Sequence, residues 1–358
     1  MTLGIWSHTI KNQILLMPDF PFISICIPSY NRPEGLLYLL NSIDLTLSED
    51  LEVVICEDNS PRREEVREAL DLFKSNAKFK INYFENEQNL GYDRNLRELI
   101  TKAKGKFIIF MGDDDAFDKN SLGNFVDFLK KNSEVGYVMK THTFIHEDGK
   151  EELFKYFDHD TFYDPSEQTV ALLFRKSVFI SGFTFRRSYA LPFLTDEFDG
   201  TLLYQIYLLS ELCLNHPSAY CTIPLTVQSA NRRDVPMFGS SESEKNLYEP
   251  GVISVDNSIN FMKGFFKISQ FIDIKYGLTL TYKIRNDISK YSYPILSIQR
   301  NKGIKVFLDY VKRLRTEINI GQSIYFKIYT IGLILFGTKF CNLLIILIKK
   351  VLGKTPQL

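Results

Sequence analysis

Lys106-Phe-Ile-Ile-Phe-Met-Gly-Asp-Asp-Asp115 joins a short apolar run to three adjacent carboxylates. Six residues bounded by polar sequence are too few for a buried helix and suit a strand covered on both faces. Three neighbouring aspartates at its end repel one another unless a cation or a fixed donor answers them. A hard divalent ion such as Mg²⁺ or Mn²⁺ is one natural partner, because it takes one or two protein carboxylates and leaves places for diphosphate oxygens. A solvated acidic turn is the other explanation of the same residues.

The same pattern recurs upstream. Phe22-Ile-Ser-Ile-Cys-Ile-Pro28 leads into Ser29-Tyr30-Asn31, and Leu51-Glu-Val-Val-Ile-Cys56 leads into Glu57-Asp58-Asn59-Ser60-Pro61. Phe79-Lys-Ile-Asn-Tyr-Phe84 is a third strand. Helical spacing lies between the runs, over Glu34–Asp44, Arg62–Phe73 and Tyr92–Lys104, the last closed by Gly105. Strands alternating with helices predict an α/β fold with a doubly wound, mostly parallel, Rossmann-like sheet flanked by helices. Such sheets bind ligands beyond the carboxyl ends of their strands, where Tyr30, Asp58 and the triplet all fall.

Composition sets the bounds. The chain has 358 residues, 45% hydrophobic and 24% charged, enough for a large core and more than one region. Five cysteines without C-x-x-C spacing suit reduced thiols in a cytosolic compartment. Met1–Lys11 lacks the basic start and apolar core of a secretory leader. The net charge is zero, yet Lys263–Lys354 holds 17 Lys/Arg and 4 Asp/Glu. A basic tail suits nucleic acid or an anionic membrane surface; the apolar stretch Tyr329–Ile348 inside it favours the membrane, with no nucleic-acid partner. That stretch is long enough to span, but Lys339, Asn342, Gly332 and Gly337 interrupt it. An in-plane or re-entrant helix is therefore expected, with a buried helical hairpin as the alternative. The expected division is an extension over 1–20, the α/β domain over 21–239, a polar linker over 240–256 and a helical, basic, membrane-associating region over 257–358. Within the last region helices are expected near Asn257–Ile274, Tyr282–Ser297 and Gly303–Ile318. His142 and His146 lie four apart on a strand-like run, where that spacing is not the helical metal pair. Arg186-Arg187 and Arg232-Arg233 are basic pairs suited to phosphate or to solvent.

An ordered series of short motifs carries a resemblance. Ser24-Ile-Cys-Ile-Pro-Ser-Tyr-Asn-Arg32, Glu57-Asp58-Asn59-Ser60, Asn89-Leu-Gly91, Arg94-Asn95, Ala103-Lys-Gly105 and Phe107–Asp115 follow one another as in family 2 glycosyltransferases of the GT-A fold. The chain resembles that family over roughly residues 22–235. The resemblance implies a nucleotide-sugar donor, with Pro28, Tyr30 and Arg32 bordering the nucleotide and Asp58 bonding the base. It puts Arg94 near the diphosphate or base and one triplet aspartate, Asp113 or Asp114, on the ribose. Asp115 is the implied metal ligand; read literally, the D-x-D pair is Asp113 and Asp115. Ile180-Ser-Gly-Phe-Thr-Phe-Arg186 and Asp196–Glu211 resemble a subgroup, abequosyltransferase-like, that builds bacterial O-antigen, capsule or exopolysaccharide on a lipid-linked acceptor. That implies work at the cytoplasmic face of the inner membrane.

The expected general base is displaced. Family spacing puts Tyr204 or Gln205 at its position, and neither suits that role at neutral pH. Asp199 or Asp196, just upstream, is the candidate. A catalytically degenerate membrane-bound assembly subunit and a sugar nucleotidyltransferase remain as alternatives.

Overall fold

The apolar run of the first motif forms β1 (Ile23–Ser29), the hub of a ten-stranded sheet in the computed structural model, which describes residues 20–351 apart from 45–46, 48 and 231–236. The expected extension over 1–20, save Phe20, and Arg232-Arg233 lie outside the described residues. Ile25 and Ile27 enter the core on one side of the sheet and Cys26 the core on the other, so β1 is apolar without alternation.

Around β1 the chain alternates as expected. It runs through α1 (Pro33–Asn41), β2 (Leu51–Glu57), α2 (Arg63–Lys74), β3 (Lys80–Glu85), α3 (Tyr92–Lys102) and β4 (Phe107–Phe110). Pro33 opens α1, where its missing N–H costs nothing. Next come β5 (Ala116–Phe117), α4 (Ser121–Lys131), β6 (Tyr137–Ile145), β7 (Glu151–Phe154), β8 (Thr161–Tyr163) and α5 (Glu167–Leu173). The unit ends with β9 (Phe183–Arg186), α6 (Arg187–Ala190), α7 (Tyr204–Asn215) and β10 (Ser218–Ser229).

The sheet order is β3-β2-β1-β4-β9-β6-β10-β5, with β7 and β8 paired outside that path. The pairs β2–β3, β1–β2, β1–β4 and β6–β10 are parallel. β9 is antiparallel to both β4 and β6, so the second half departs from the purely parallel pattern. Register decides where the site forms. Ser29 pairs with Glu57, and Cys26 with Phe110, so the loops after β2, β1 and β4 leave the same edge side by side.

The C-terminal part is α8 (Val255–Tyr276), α9 (Leu280–Lys290), α10 (Tyr293–Arg300), α11 (Ile304–Thr316) and α12 (Ile324–Val351). The single helix expected over Tyr282–Ser297 is two, because Pro294 cannot continue a helix but is tolerated in a first turn. These helices share one continuous core with α3 and α7, with Phe174 against Phe265 at 5.8 Å and Phe198 against Phe271 at 5.2 Å. In α12, Gly337 takes φ 69° and breaks the helix into two segments. Phe326 and Leu333 anchor α12 in the core, whereas Leu335, Phe336, Phe340, Leu343 and Leu347 are exposed. A helix buried on all sides is therefore not what α12 forms. Among the described residues it is the one helix long and apolar enough to cross a membrane, with mean hydropathy 2.3 in an 18-residue window within Ile324–Lys349.

Candidate functional site

At the shared strand edge, Asn31 takes φ 65°, a conformation asparagine tolerates, and turns the chain back at the end of β1. Tyr30 N then donates to Asp113 Oδ2 at 3.0 Å, and Arg32 Nη1 donates to Asp113 Oδ1 at 2.9 Å. The same Arg32 nitrogen stands 3.5 Å from Asp114 Oδ2. Asp115 turns the other way and accepts from Ser181 Oγ at 2.5 Å, while Ser181 Oγ accepts from Gly112 N at 2.9 Å. The triplet thus splits. Asp113 and Asp115 are buried by fixed donors, and Asp114 keeps 32% of its side chain exposed.

Asp58 closes the other side. Its Oδ1 accepts from Asn86 Nδ2 and Leu90 N, both at 2.8 Å, and its Oδ2 from Gly91 N at 2.9 Å. Pro28, Tyr30, Arg32, Asp58, Asp113 and Asp114 all line one cleft of about 170 Å³. Residues without an assigned role join them: Asn95, which donates to Cys56 O at 3.1 Å, Ile180, Met237, Ser240 and Glu244. Glu244 accepts from Tyr92 N and Gly239 N, both at 2.8 Å, so the segment read as a linker is folded against the start of α3.

Burial sets the electrostatics. Desolvation pushes the carboxyls of Asp58 and Asp113 up to about 6 and that of Asp115 up to about 7. For Asp113 the Arg32 charge opposes the rise, and for Asp115 the Asp114 charge adds to it. Lys140, also buried, is pushed down to about 7 by desolvation against the pull of Asp115.

Other expected residues stand elsewhere. Arg94 is exposed on α3 and does not line the cleft. Asp199 and Asp196 do not line it either: both Asp199 oxygens accept from Arg97 on α3, Nη2 at 2.8 Å and Nη1 also close. Arg186 pairs with Glu134 at 2.8 Å, and Arg187 Nε donates to Ile100 O at 3.0 Å. His142 is buried against Phe154, and His146 pairs with Glu152 at 3.0 Å, so the two do not converge.

Asp93 ties the site to α7, accepting from Leu202 N at 2.8 Å and Tyr204 N at 2.9 Å. Desolvation raises its carboxyl to about 7. A folded pKa above the unfolded one means that the fold holds the proton more tightly. This contribution favours folding in acid and is withdrawn as pH rises from about 4 to about 7. The melting temperature of wild type minus that of Asp93→Asn is expected to fall between about pH 5 and about pH 8, and a difference independent of pH refutes the assignment.

Known proteins resemble this chain in sequence over part of its length and in fold. A family model described as Glycosyl transferase family 2 matches residues 24–192. Abequosyltransferase RfbV of Salmonella typhimurium is 36% identical over 113 residues, which is 32% of this chain and 34% of that one. An uncharacterized glycosyltransferase of Haemophilus influenzae is 27% identical over 116 residues, 32% of this chain and 37% of that one. The matched stretch thus spans about a third of the length of these curated relatives. The crystal structure of S. aureus TarS 1-349 superposes with TM-score 0.52 at 13% identity, covering 76% of this chain and 73% of that one. TarS 1-349 in complex with UDP-GlcNAc gives TM-score 0.50 at 14% identity, over 87% of this chain and 78% of that one. The mixed sheet is thus of the GT-A kind, and residues 24–192 are a glycosyl transferase family 2 domain.

Proposed function

We propose that this chain transfers a sugar from a nucleotide-sugar donor to a lipid-linked saccharide acceptor in bacterial O-antigen, capsule or exopolysaccharide synthesis. The observation that carries the reading is the convergence of Tyr30, Arg32, Asp58, Asp113 and Asp114 on one cleft at the carboxyl edge of β1, β2 and β4. The likeness to an abequosyltransferase supports the polysaccharide role. Asp58 and Asn95 would border the base, and Arg32 with the triplet would border ribose and diphosphate.

Whether the triplet suits a divalent ion can be judged from Gly112. A methyl group there would stand 3.1 Å from Asp114 Oδ1 and 3.5 Å from Asp115 Oδ2, so one oxygen of each lies beside Gly112, although Asp115 does not line the cleft and that oxygen accepts from Ser181. Asp113 is taken up by Arg32 and Tyr30. Among the described residues no three His, Cys, Asp or Glu side chains gather as a closed metal site. Two hard carboxylates, completed by diphosphate oxygens, fit Mg²⁺ or Mn²⁺. Asp115 with Asp114 would hold the ion, in place of Asp115 with Asp113. When bound, the ion supplies charge stabilisation for the departing nucleoside diphosphate.

The transfer breaks the bond between the anomeric carbon and the β-phosphate oxygen and forms one to the acceptor hydroxyl oxygen. The hydroxyl proton goes to a carboxylate. Neither Asp199 nor Asp196 lines the cleft, and Asp199 can take the proton only once it has left Arg97 and its loop has moved in. Asp199→Asn is then expected to lower kcat by about 10²–10⁴ with donor binding unchanged. Retained kcat would leave Asp199 as the tie between that loop and α3.

The same reading places the protein at the cytoplasmic face of the inner membrane, with α12 in contact with anionic lipid. Phe336→Glu combined with Leu343→Glu, both at exposed positions, is expected to move the protein from the pellet of anionic vesicles to the supernatant. Unchanged pelleting counts against α12 as the contact. The function itself is tested by donor-dependent release of nucleoside diphosphate across a panel of nucleotide sugars with Mn²⁺. Release from one donor, rising with saccharide acceptor, is the expected outcome, and no release from any donor refutes it.

A further inference from the structure

The turn from α11 to α12 opens a groove of about 570 Å³ among the C-terminal helices. Arg315 of α11 and Lys327 of α12 line it, and no carboxylate lines it among the described residues. The turn is tied down. Ile320 N donates to Leu314 O at 3.0 Å, and Gly321 N and Ser323 N both donate to Ser289 Oγ of α9 at 3.3 Å. Gly321 takes φ 112°, and a Cβ there would stand 3.0 Å from Phe326 Cε1 and 3.2 Å from Arg315 Cγ. The Arg315 stem therefore lies across Gly321, with its guanidinium 5.5 Å from the Phe326 ring centroid.

Neither cation is answered within the protein. Among the described residues Arg315 and Lys327 pair with no carboxylate, and Glu317, two residues beyond Arg315, is taken by Arg313 at 2.6 Å and Lys263 at 2.8 Å. Thr330 is also in the groove wall, and its buried Oγ1 has no hydrogen-bond partner. A buried hydroxyl in that state costs free energy that an oxygen acceptor would recover. Ile331 joins the groove to an apolar stripe. Ile324, Ile328, Ile331 and Leu335 recur at helical spacing along α12, and each is more than half exposed.

We propose that this groove holds the phosphate of a single anionic phospholipid, with its acyl chains lying along the apolar stripe of α12. The proposal rests on α12 as the membrane contact and names the headgroup chemistry for it. Three observations select this occupant. Two cations on one groove with no lining carboxylate suit an anion. Arg315, its stem held by Gly321 and Phe326, presents a planar fork that matches two phosphate oxygens. The groove continues through Ile331 onto exposed apolar surface, which acyl chains would cover and which a free phosphate or an acidic peptide would leave in water. A phosphate held here would fix the start of α12 at headgroup depth. Tyr325, nearly half exposed on the same turn as Lys327, has the ring suited to that depth.

The test is sedimentation of the full-length protein, without detergent, with phosphatidylcholine vesicles that do or do not contain phosphatidylglycerol. Tighter binding to the anionic vesicles is expected. Arg315→Gln combined with Lys327→Gln should weaken it about thirtyfold. Lys305→Gln combined with Lys312→Gln removes the same charge from exposed positions of α11 and should weaken it far less. Arg315→Lys keeps the charge but loses the fork, and is expected to cost about threefold or more. Melting temperatures without vesicles should match that of wild type, showing an intact fold. Equal losses from the two glutamine pairs, or Arg315→Lys binding as wild type does, would mean a diffuse basic surface and overturn the proposal. Release from the vesicles by inorganic phosphate at the concentration of the lipid phosphate would assign the groove to a free anion and overturn it too. Equal binding to both kinds of vesicle, abolished by Phe336→Glu with Leu343→Glu, would overturn the headgroup site and leave α12 as the contact. Anionic binding that survives Phe336→Glu with Leu343→Glu but not the Arg315 and Lys327 changes would sink the α12 reading and leave the phosphate site standing.

Discussion

Asp115→Asn is expected to lower sugar transfer by about 10²–10³ while leaving the melting temperature at or above that of wild type. The two halves of this result have separate causes. An asparagine amide oxygen can still accept the hydrogen bond from Ser181 Oγ, so the loop between β4 and β5 keeps its anchor. The carboxylate it replaces is buried, and burial together with the Asp114 charge pushes its pKa up to about 7. Removing that charge relieves a cost of the folded state. What is lost is the anionic partner of Asp114 beside Gly112, where charge on the departing diphosphate would be answered. Transfer at the wild-type rate would refute the role given to Asp115. A large fall in melting temperature would refute the account of its burial.

Asp58→Ala is expected to fail differently, in stability and donor binding together. Three donors, Asn86 Nδ2, Leu90 N and Gly91 N, converge on this one carboxylate. Each buried donor left without a partner costs about 1–3 kcal/mol. The turn they hold is demanding, since Gly91 sits at φ 81° and a Cβ there would come 2.4 Å from Ser241 Oγ. Loss of the anchor loosens the start of α3 and the contact of Glu244 with Tyr92 N. Denaturant unfolding should show a lower midpoint, and nucleoside diphosphate should no longer raise it. Asp58→Asn keeps one acceptor oxygen and should fall between the two. A wild-type midpoint for Asp58→Ala contradicts this description of the turn.

The strand ends were legible in the sequence because a strand buried on both faces leaves an unbroken apolar run. The polar residues that follow it are then conspicuous, as with Tyr30, Asp58 and Asp113. Pro294 also marks its break in plain view, although spacing alone merged α9 with α10. Other features could not be read locally. Nothing in Asp113-Asp114-Asp115 says which carboxylate meets Arg32, which meets Ser181 and which stays open. Those partners lie 81 and 66 residues away. Glu244 reaches the start of α3 from 152 residues away, out of a polar stretch with the composition of a linker. The Arg97–Asp199 pair spans 102 residues, and its effect on the base candidate appears only once α3 and the 196–200 loop are brought together. The four residues of β9 carry no signal that they will enter the sheet antiparallel between β4 and β6.

Heat stabilisation by nucleotide sugars tests the donor cleft most directly. The full-length protein is melted with Mn²⁺ against a panel of nucleotide sugars, beside Asp58→Asn and Asp115→Asn. A ligand at one hundred times its dissociation constant stabilises the fold by about 2.7 kcal/mol. A clear rise in melting temperature with one donor, reduced in both variants, is the expected result. No rise with any nucleotide sugar, or an equal rise in wild type and both variants, would contradict it.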